Sequence, residues 1–118
     1  MLPAGARLRR RVEFVATLRG GRGARGDGLV VVHIDRSGHW TGPARVGFIV
    51  SRSVGPAVTR NLVKRRLRHV MARRLGDLPT GARVVVRALP ASATATSTQL
   101  DAAINRATQL APARRAGR

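Results

Sequence analysis

The sequence predicts a single α+β domain, and three observations carry that prediction. Three segments are dense in β-branched residues and bounded by turn formers, as strands are. Other segments repeat apolar residues at helical spacing and carry helix start and stop signals. The chain has 118 residues, enough for one buried core and too few for two. We therefore expect one domain over residues 1–110, followed by a flexible basic tail over residues 111–118.

The N-terminal part combines a short helix with a glycine-rich stretch. Apolar residues within 9–18 favour a helix that stops at Gly20 and Gly21. Residues 20–28 alternate glycine with charged residues and have no apolar side to bury, so they are interpreted as a loop or a weak strand. A solvated linker is the simpler interpretation of this stretch, and a phosphate-contacting arm is the alternative.

The predicted strands cover residues 29–34, 45–50 and 83–89. The first two could be joined as a hairpin, because residues 35–43 between them supply turn chemistry. Alternation in the second strand puts Val46, Phe48 and Val50 on one face. That face is fully apolar, and the opposite face is partly open.

Two further helices are predicted in the second half of the chain. The longer one extends from Gly55, which can cap it, through Pro56 at its first position to Leu75. The last helix is predicted over residues 98–110, where the first residue and Asp101 are spaced like a capping box.

Charge is the strongest functional signal in the sequence. Lys and Arg number 23 against 5 Asp and Glu, which gives a formal net charge of +18 and a pI near 12.0. Nucleic acid is the commonest polyanion that neutralises such a chain, and an anionic membrane comes second. All basic residues except Lys64 are arginine. The planar arginine fork suits phosphate, although GC-rich codon usage produces the same excess.

Several function classes are disfavoured by what the sequence contains. It has no cysteine, which excludes disulfides and Cys-based zinc sites. No apolar run approaches the ~20 residues of a membrane span, and the N-terminus lacks a signal-peptide pattern, so we expect a cytoplasmic protein. The five carboxylates are widely spread, and His33, His39 and His69 lack metal-ligand spacing. A metal cage is therefore not expected, and no catalytic residue is assigned.

The longer helix concentrates the basic charge on one side. Its apolar stripe, which would face a sheet, comprises Val63, Leu67, Val70 and Met71. Arg60, Lys64 and Arg68 form a neighbouring stripe, with Asn61 and Arg65 one step round the helix. Like charges at this spacing repel by about 0.2–0.5 kcal/mol per pair, and no acidic residue lies nearby in the sequence. We expect this stripe to meet phosphates, with a merely solvated surface as the alternative.

The same segment resembles a known family. Residues 45–68 read RVGFIVSRSVGPAVTRNLVKRRLR. This run is similar to the signature of the bacterial ribonuclease P protein, in which a strand ends in a basic residue and a Gly-x-Ala-Val turn opens a helix. Along that helix the signature has Arg-Asn-x-x-Lys-Arg-x-x-Arg, which is present here in full. The resemblance continues through an opening at Leu8 to Phe14 and a late strand that ends before Pro90.

The resemblance implies an α+β two-layer sandwich of the ribosomal protein S5 domain 2-like type. Such a sandwich has about four strands in a mixed sheet, three helices and a left-handed β-α-β crossover through the basic helix. The remaining short strand would then lie in the glycine-rich segment after Gly20.

The resemblance also implies a division of labour with a catalytic RNA. The RNA subunit and its bound Mg²⁺ would release the 5′ leader from precursor tRNA, while one protein subunit per RNA would position the substrate. The RNA-binding residues would be Arg52, Arg60, Asn61, Lys64, Arg65 and Arg68. A cleft between the first helix and the open sheet face would hold the leader through Phe14 and Phe48. From the residues alone, however, a plain core position is the favoured interpretation of both. Neither DNA nor a membrane is an expected partner.

Three other functions share some of these features. A ribosomal or general RNA-binding protein has the same charge and size but no reason to carry the signature run. A DNA-binding module would use the longer helix in the major groove, yet base-edge donors near the helix start and a dimer surface are not evident. A membrane-surface peptide would need bulky apolar residues on one helix face, whereas the chain is only 3% aromatic.

Overall fold

The fold was analysed in a computed structural model that describes residues 4–8, 10–20, 23–36 and 41–116. Its helices are α1 (Arg11–Gly20), α2 (Ala57–Ala72) and α3 (Ser97–Ala116), and its strands are β1 (Gly23–Gly26), β2 (Val30–Asp35), β3 (Arg45–Ile49) and β4 (Arg83–Ala88). The strands form one sheet in the order β1-β2-β4-β3. The pairs β1/β2 and β2/β4 are antiparallel, and β3/β4 is parallel. The predicted α+β class with a four-stranded mixed sheet is confirmed.

The fourth strand lies where the resemblance placed it, in the glycine-rich segment. β1 pairs with β2 through a turn whose central residues, Asp27 and Gly28, have φ values of 53° and 70°. The Leu29 amide donates to the Gly26 carbonyl at 2.9 Å and closes this turn. An Asp-Gly pair favours the type I′ geometry that needs two positive φ values, and it is the local signal for this hairpin.

The predicted hairpin between β2 and β3 is wrong, because β4 lies between them and pairs with both. The reason is burial: Val84, Val85 and Val86 are all 0% exposed, so β4 is covered on both faces and occupies the centre of the sheet. Strand β3 and β4 are parallel neighbours, so the chain must cross over between them, and α2 is that crossover. The left-handed sense of this crossover stays a prediction.

The two faces of the sheet are covered unequally. Helices α2 and α3 lie on one face over a core that includes Val32, Ile34, Val84, Leu67 and Ile104, each 0% exposed. Burying a side chain of this kind contributes about 1.5–3 kcal/mol, so this layer supplies most of the stability. The ten-residue α1 covers only part of the other face.

Helix α2 is shorter at both ends than the sequence predicted. Pro56 occupies the N-cap position, and the first helical residue is Ala57. Gly55 precedes it with a φ of 154°, a conformation that favours glycine, so this residue forms the turn and does not cap the helix. The helix ends at Ala72, where the Arg73 amide bonds to the Val70 carbonyl three residues back and tightens the last turn.

Helix α3 begins with a reciprocal capping box that lies two residues before the predicted one. The Gln99 amide donates to Thr96 Oγ1 at 3.1 Å, and the Thr96 amide donates to Gln99 Oε1 at 2.9 Å. The helix continues through Ala116, past its predicted end at Leu110. Residues 117 and 118 lie outside the described residues, and the mobility of the tail stays a prediction.

Candidate nucleic-acid interface

The basic residues of α2 are held on the outer side of the helix by the buried stripe beside them. Val63, Leu67, Val70 and Met71 are all buried against the sheet and α3, as predicted. The adjacent side chains are therefore directed outward. We call Arg60, Asn61, Lys64, Arg65 and Arg68 the basic face of α2. Within it Asn61, Arg65 and Arg68 are exposed, while Arg60 and Lys64 are half-buried.

The ion pairs of the described residues leave the basic face without a neutralising carboxylate. Four pairs are present, and each joins an acidic residue to an arginine elsewhere: Glu13–Arg45, Asp27–Arg106, Asp35–Arg83 and Asp101–Arg74. A one-signed surface of this kind attracts phosphates, and the attraction weakens with salt. Arg52, the sixth predicted RNA-binding residue, is exposed in a short 3₁₀ helix at Arg52–Val54 just before α2.

Two arginines of α2 have structural hydrogen bonds. Arg60 donates from Nε to the Gly55 carbonyl at 3.1 Å, so part of its guanidinium stabilises the turn before the helix. Arg66 donates from Nη1 to the Ala95 carbonyl at 2.7 Å and ties α2 to the segment before α3. Arg66 therefore belongs to the scaffold, whereas its neighbours Arg65 and Arg68 face solvent.

A cleft of about 510 Å³ at the β3 edge brings the two predicted leader-binding aromatics together with the basic face. We call it the edge cleft, and it is lined by Arg7, Leu8, Phe14, Val46, Gly47, Phe48, Lys64 and Arg68. Phe14 comes from α1 on one side of the sheet, and Phe48 points to the other side. Both are half-buried, so neither is a fully enclosed core residue.

Four residues that line the edge cleft are not among the predicted site residues: Arg7, Leu8, Val46 and Gly47. Arg7 forms a parallel bridge with Val46, and the Leu8 amide donates to the Val46 carbonyl at 2.9 Å. The chain before α1 therefore lies along β3. Contacts of this kind have no periodic signal in the sequence, although Leu8 opens the segment that resembles the family.

A second groove, of about 540 Å³, extends along the surface of α2 itself. It is lined by Val58, Asn61, Leu62, Lys64, Arg65 and Arg68. Lys64 and Arg68 line both this groove and the edge cleft, so the two surfaces are continuous. Arg52 and Arg60 line neither.

A row of side chains crosses the sheet on the side of α1. Arg25, Val31, Arg87 and Ile49 stand opposite one another on β1, β2, β4 and β3 in that order. Both arginines are exposed, and the two apolar side chains are half-buried between and beside them. We call these four residues the sheet row. Sequence analysis missed it, because the row exists only once the strand order is known.

The described part of the chain contains neither a metal-ligand cluster nor a membrane-spanning helix. No group of three or more His, Cys, Asp or Glu residues there is placed to hold a metal ion, and His39 lies outside it. No helix among these residues is long and apolar enough to cross a membrane.

Comparisons with known proteins agree with this architecture. The family model of ribonuclease P matches residues 2–111. The chain is similar to the ribonuclease P protein component of Streptomyces griseus, at 50% identity over 117 residues that cover 90% of this chain and 94% of that one. Its counterpart in Streptomyces bikiniensis is 52% identical over 118 residues, with the same coverage.

Solved structures show the same fold at lower identity. An RNase P protein of Staphylococcus aureus, a mutant with defective mRNA degradation activity, superposes with a TM-score of 0.80 at 21% identity and covers 92% of this chain and 89% of its own. The RNase P protein of Thermotoga maritima gives a TM-score of 0.72 at 25% identity, with 87% and 96% coverage.

Proposed function

The chain belongs to the ribonuclease P family, and we propose how its surfaces bind RNA as a protein component of bacterial tRNA 5′ processing. It is a subunit of an endoribonuclease holoenzyme. In our proposal the basic face of α2 binds the catalytic RNA, and the edge cleft holds the 5′ leader of precursor tRNA. The observation that carries this proposal is that Lys64 and Arg68 line both surfaces.

The basic face suits a folded RNA. Double-stranded RNA is recognised mainly through its phosphates and 2′-hydroxyls, which demand cations and hydrogen-bond donors on the protein. Arg65 and Arg68 supply guanidinium forks, and Asn61 supplies an amide within the same exposed surface. Arg52 extends this charge toward the turn before α2.

The edge cleft suits a single strand. Unpaired bases stack on aromatic rings with about 1–3 kcal/mol per base, and Phe14 and Phe48 each keep part of the ring accessible. The sheet row extends this surface on the side of α1. Arg25 and Arg87 are separated by one strand, which is roughly 10 Å at the usual strand spacing, so they can hold successive leader phosphates.

The cleavage chemistry is assigned to the RNA subunit. Four of the five carboxylates hold arginines in ion pairs, so their oxygens are committed to structural contacts. The described residues do not form a cage that fits Mg²⁺. We therefore place the Mg²⁺ of the holoenzyme on RNA phosphates, with one protein per RNA and precursor tRNA as the substrate. Neither DNA nor a membrane is part of the proposal.

Cleavage of a 5′-extended precursor tRNA by a bacterial ribonuclease P RNA at low Mg²⁺ tests this function. The protein should restore accurate cleavage and show none without the RNA. Arg68→Ala should weaken this rescue, whereas Arg106→Ala, which removes one arginine from the far side of α3, should not. Binding to the RNA without any effect on cleavage would instead identify a general RNA-binding protein.

A further inference from the structure

The ring of Phe14 rests directly on the backbone of β3. A Cβ atom at Gly47 would lie 2.3 Å from Phe14 Cζ and 2.5 Å from Cε1. It would also lie 3.1 Å from Leu8 Cβ. The two distances to the ring are shorter than real Cβ contacts, so the ring occupies the space that a side chain at position 47 would fill. Glycine is required here for room and not for its backbone freedom.

An ion pair joins the same helix and strand next to this ring. Glu13 Oε2 lies 2.7 Å from Arg45 Nη1, with side-chain exposures of 19% and 21%. Arg45 precedes Gly47 by two residues, and alternate residues of a strand point to the same face about 6.8 Å apart. The ion pair and the ring contact are therefore neighbouring attachments of α1 to one strip of β3.

Helix α1 lies mainly over β2 and β4, so the Glu13–Arg45 pair and the Phe14 ring are what attach it at the β3 edge. It has ten residues, which is too short for stability by itself. Val12 is 67% exposed and Val15 is 38% exposed, so the outer side of the helix is not packed. Thr17 is its one fully buried side chain among those described, and its hydroxyl donates to the Glu13 carbonyl within the same helix.

We propose that Glu13 and Arg45 are positioning residues for leader binding: their ion pair holds the Phe14 ring on Gly47, so the edge cleft is formed before the leader arrives. The inference rests on the proposed function. It also explains why a carboxylate stands beside a cleft for a polyanion, since pairing with Arg45 cancels its repulsion of phosphate. Neither residue lines the cleft itself.

The test compares two substrates in the reconstituted holoenzyme, a precursor tRNA with a long 5′ leader and one with a single-nucleotide leader. Glu13→Gln should raise KM about threefold to fivefold for the long leader and leave kcat unchanged, because it loosens binding without touching the reaction. KM for the short leader should stay at its wild-type value. The combination of Glu13→Arg with Arg45→Glu should restore the pair and much of the KM.

Two further variants separate positioning from a general loss of structure. Asp101→Asn removes the same charge and breaks a similar ion pair, at 2.8 Å to Arg74, but lies on α3. It should leave KM for both substrates unchanged. Gly47→Ala keeps the Glu13–Arg45 pair and displaces the ring, so it should reproduce the leader-dependent rise in KM.

The outcomes distinguish this inference from the function on which it rests. A wild-type holoenzyme with equal KM for both leaders would overturn leader binding and the positioning role together. A wild-type preference for the long leader that survives Glu13→Gln would overturn the positioning role alone. An equal rise in KM for both substrates, or a swapped pair that restores nothing, would assign Glu13 and Arg45 to overall stability.

Discussion

Arginines on the basic face of α2 and arginines at the start of β3 and β4 have opposite surroundings. Arg45 and Arg83 are mostly buried and each holds a carboxylate, from Glu13 and Asp35 respectively. Arg65 and Arg68 are exposed, and no ion pair of the described residues involves them. The residue type is the same in both regions, so an arginine's role depends on whether an acceptor of the protein itself, a carboxylate or a carbonyl, holds its guanidinium.

This difference shows how the few acidic residues are used. Glu13 joins α1 to β3, Asp35 joins β2 to β4, Asp27 joins the first hairpin to α3, and Asp101 joins α3 to the end of α2. Each of these four carboxylates connects two parts of the fold. None of the four forms an ion pair with the basic face, so the charge of that face remains for a partner to neutralise.

The largest effect is expected where the ion pair is most buried. Asp35 is 1% exposed, and Asp35→Asn leaves the mostly buried Arg83 without its charge partner. We expect a loss of about 3 kcal/mol in the free energy of unfolding, because an uncompensated buried charge is costly. Urea unfolding measures this loss. A stability within error of the wild type would mean that these paired arginines are not structural.

The second effect concerns RNA binding instead of stability. Replacement of Arg60, Lys64 and Arg68 with alanine should weaken the salt dependence of RNA binding. The slope of log association constant against log salt concentration should become less steep by roughly 2 to 3, about 0.7–0.9 for each lost phosphate contact. The variant loses the Arg60–Gly55 hydrogen bond, which costs about 1 kcal/mol, and the removal of mutual repulsion offsets part of this cost, so the protein should stay folded. Binding titrations with ribonuclease P RNA at several salt concentrations give the slope, and an unchanged slope would remove this face from the interface.

Two adjacent residues sharpen the comparison within one helix. Arg66 bonds to the Ala95 carbonyl, whereas Arg65 is exposed. Arg66→Ala should lower the free energy of unfolding by about 1–2 kcal/mol with little change in the salt slope. Arg65→Ala should reduce the slope by about 0.7–0.9 and leave stability unchanged. The reverse pattern would contradict the division between scaffold and interface.

The smallest effect is expected at the most exposed ion pair. Arg106 lies 3.1 Å from Asp27 and its side chain is 68% exposed. Arg106→Ala should change the free energy of unfolding by less than about 0.5 kcal/mol, because water and salt screen such pairs. Thermal unfolding at low and high salt checks this. A clear loss of stability would show that the exposure of an ion pair does not by itself determine how much the pair contributes to the free energy of unfolding.

Local patterns predicted the elements, and long-range packing decided how they pair. β-branched runs located β2, β3 and β4 to within one residue at either end. The partner of β2 could not be predicted, because the choice depends on a central strand that comes some fifty residues later in the chain. The Asp27-Gly28 pair is a local signal for the first hairpin, although the interpretation of residues 20–28 as a loop or a weak strand does not use it.

The candidate site was predicted in part for the same reason. The helical repeat of Arg60, Lys64 and Arg68 is visible in one segment, and the structure places Lys64 and Arg68 beside the predicted Phe14 and Phe48. The sheet row and the seat of Phe14 on Gly47 join residues from different strands and helices. The residues of such sites are not regularly spaced along the sequence, so the residue pattern alone could not reveal them. The RNA contacts of all these residues stay predictions.

The central place of β4 also governs the order in which the protein can be built. Synthesis proceeds from the N-terminus, so β1 and β2 can form their hairpin early. β3 then has no strand to join until residues 83–88 have been made. The basic helix α2 is therefore complete before the strand that gives it a finished sheet to pack on. During translation, the basic helix α2 therefore lacks a complete sheet to pack against until β4 has been inserted between β2 and β3.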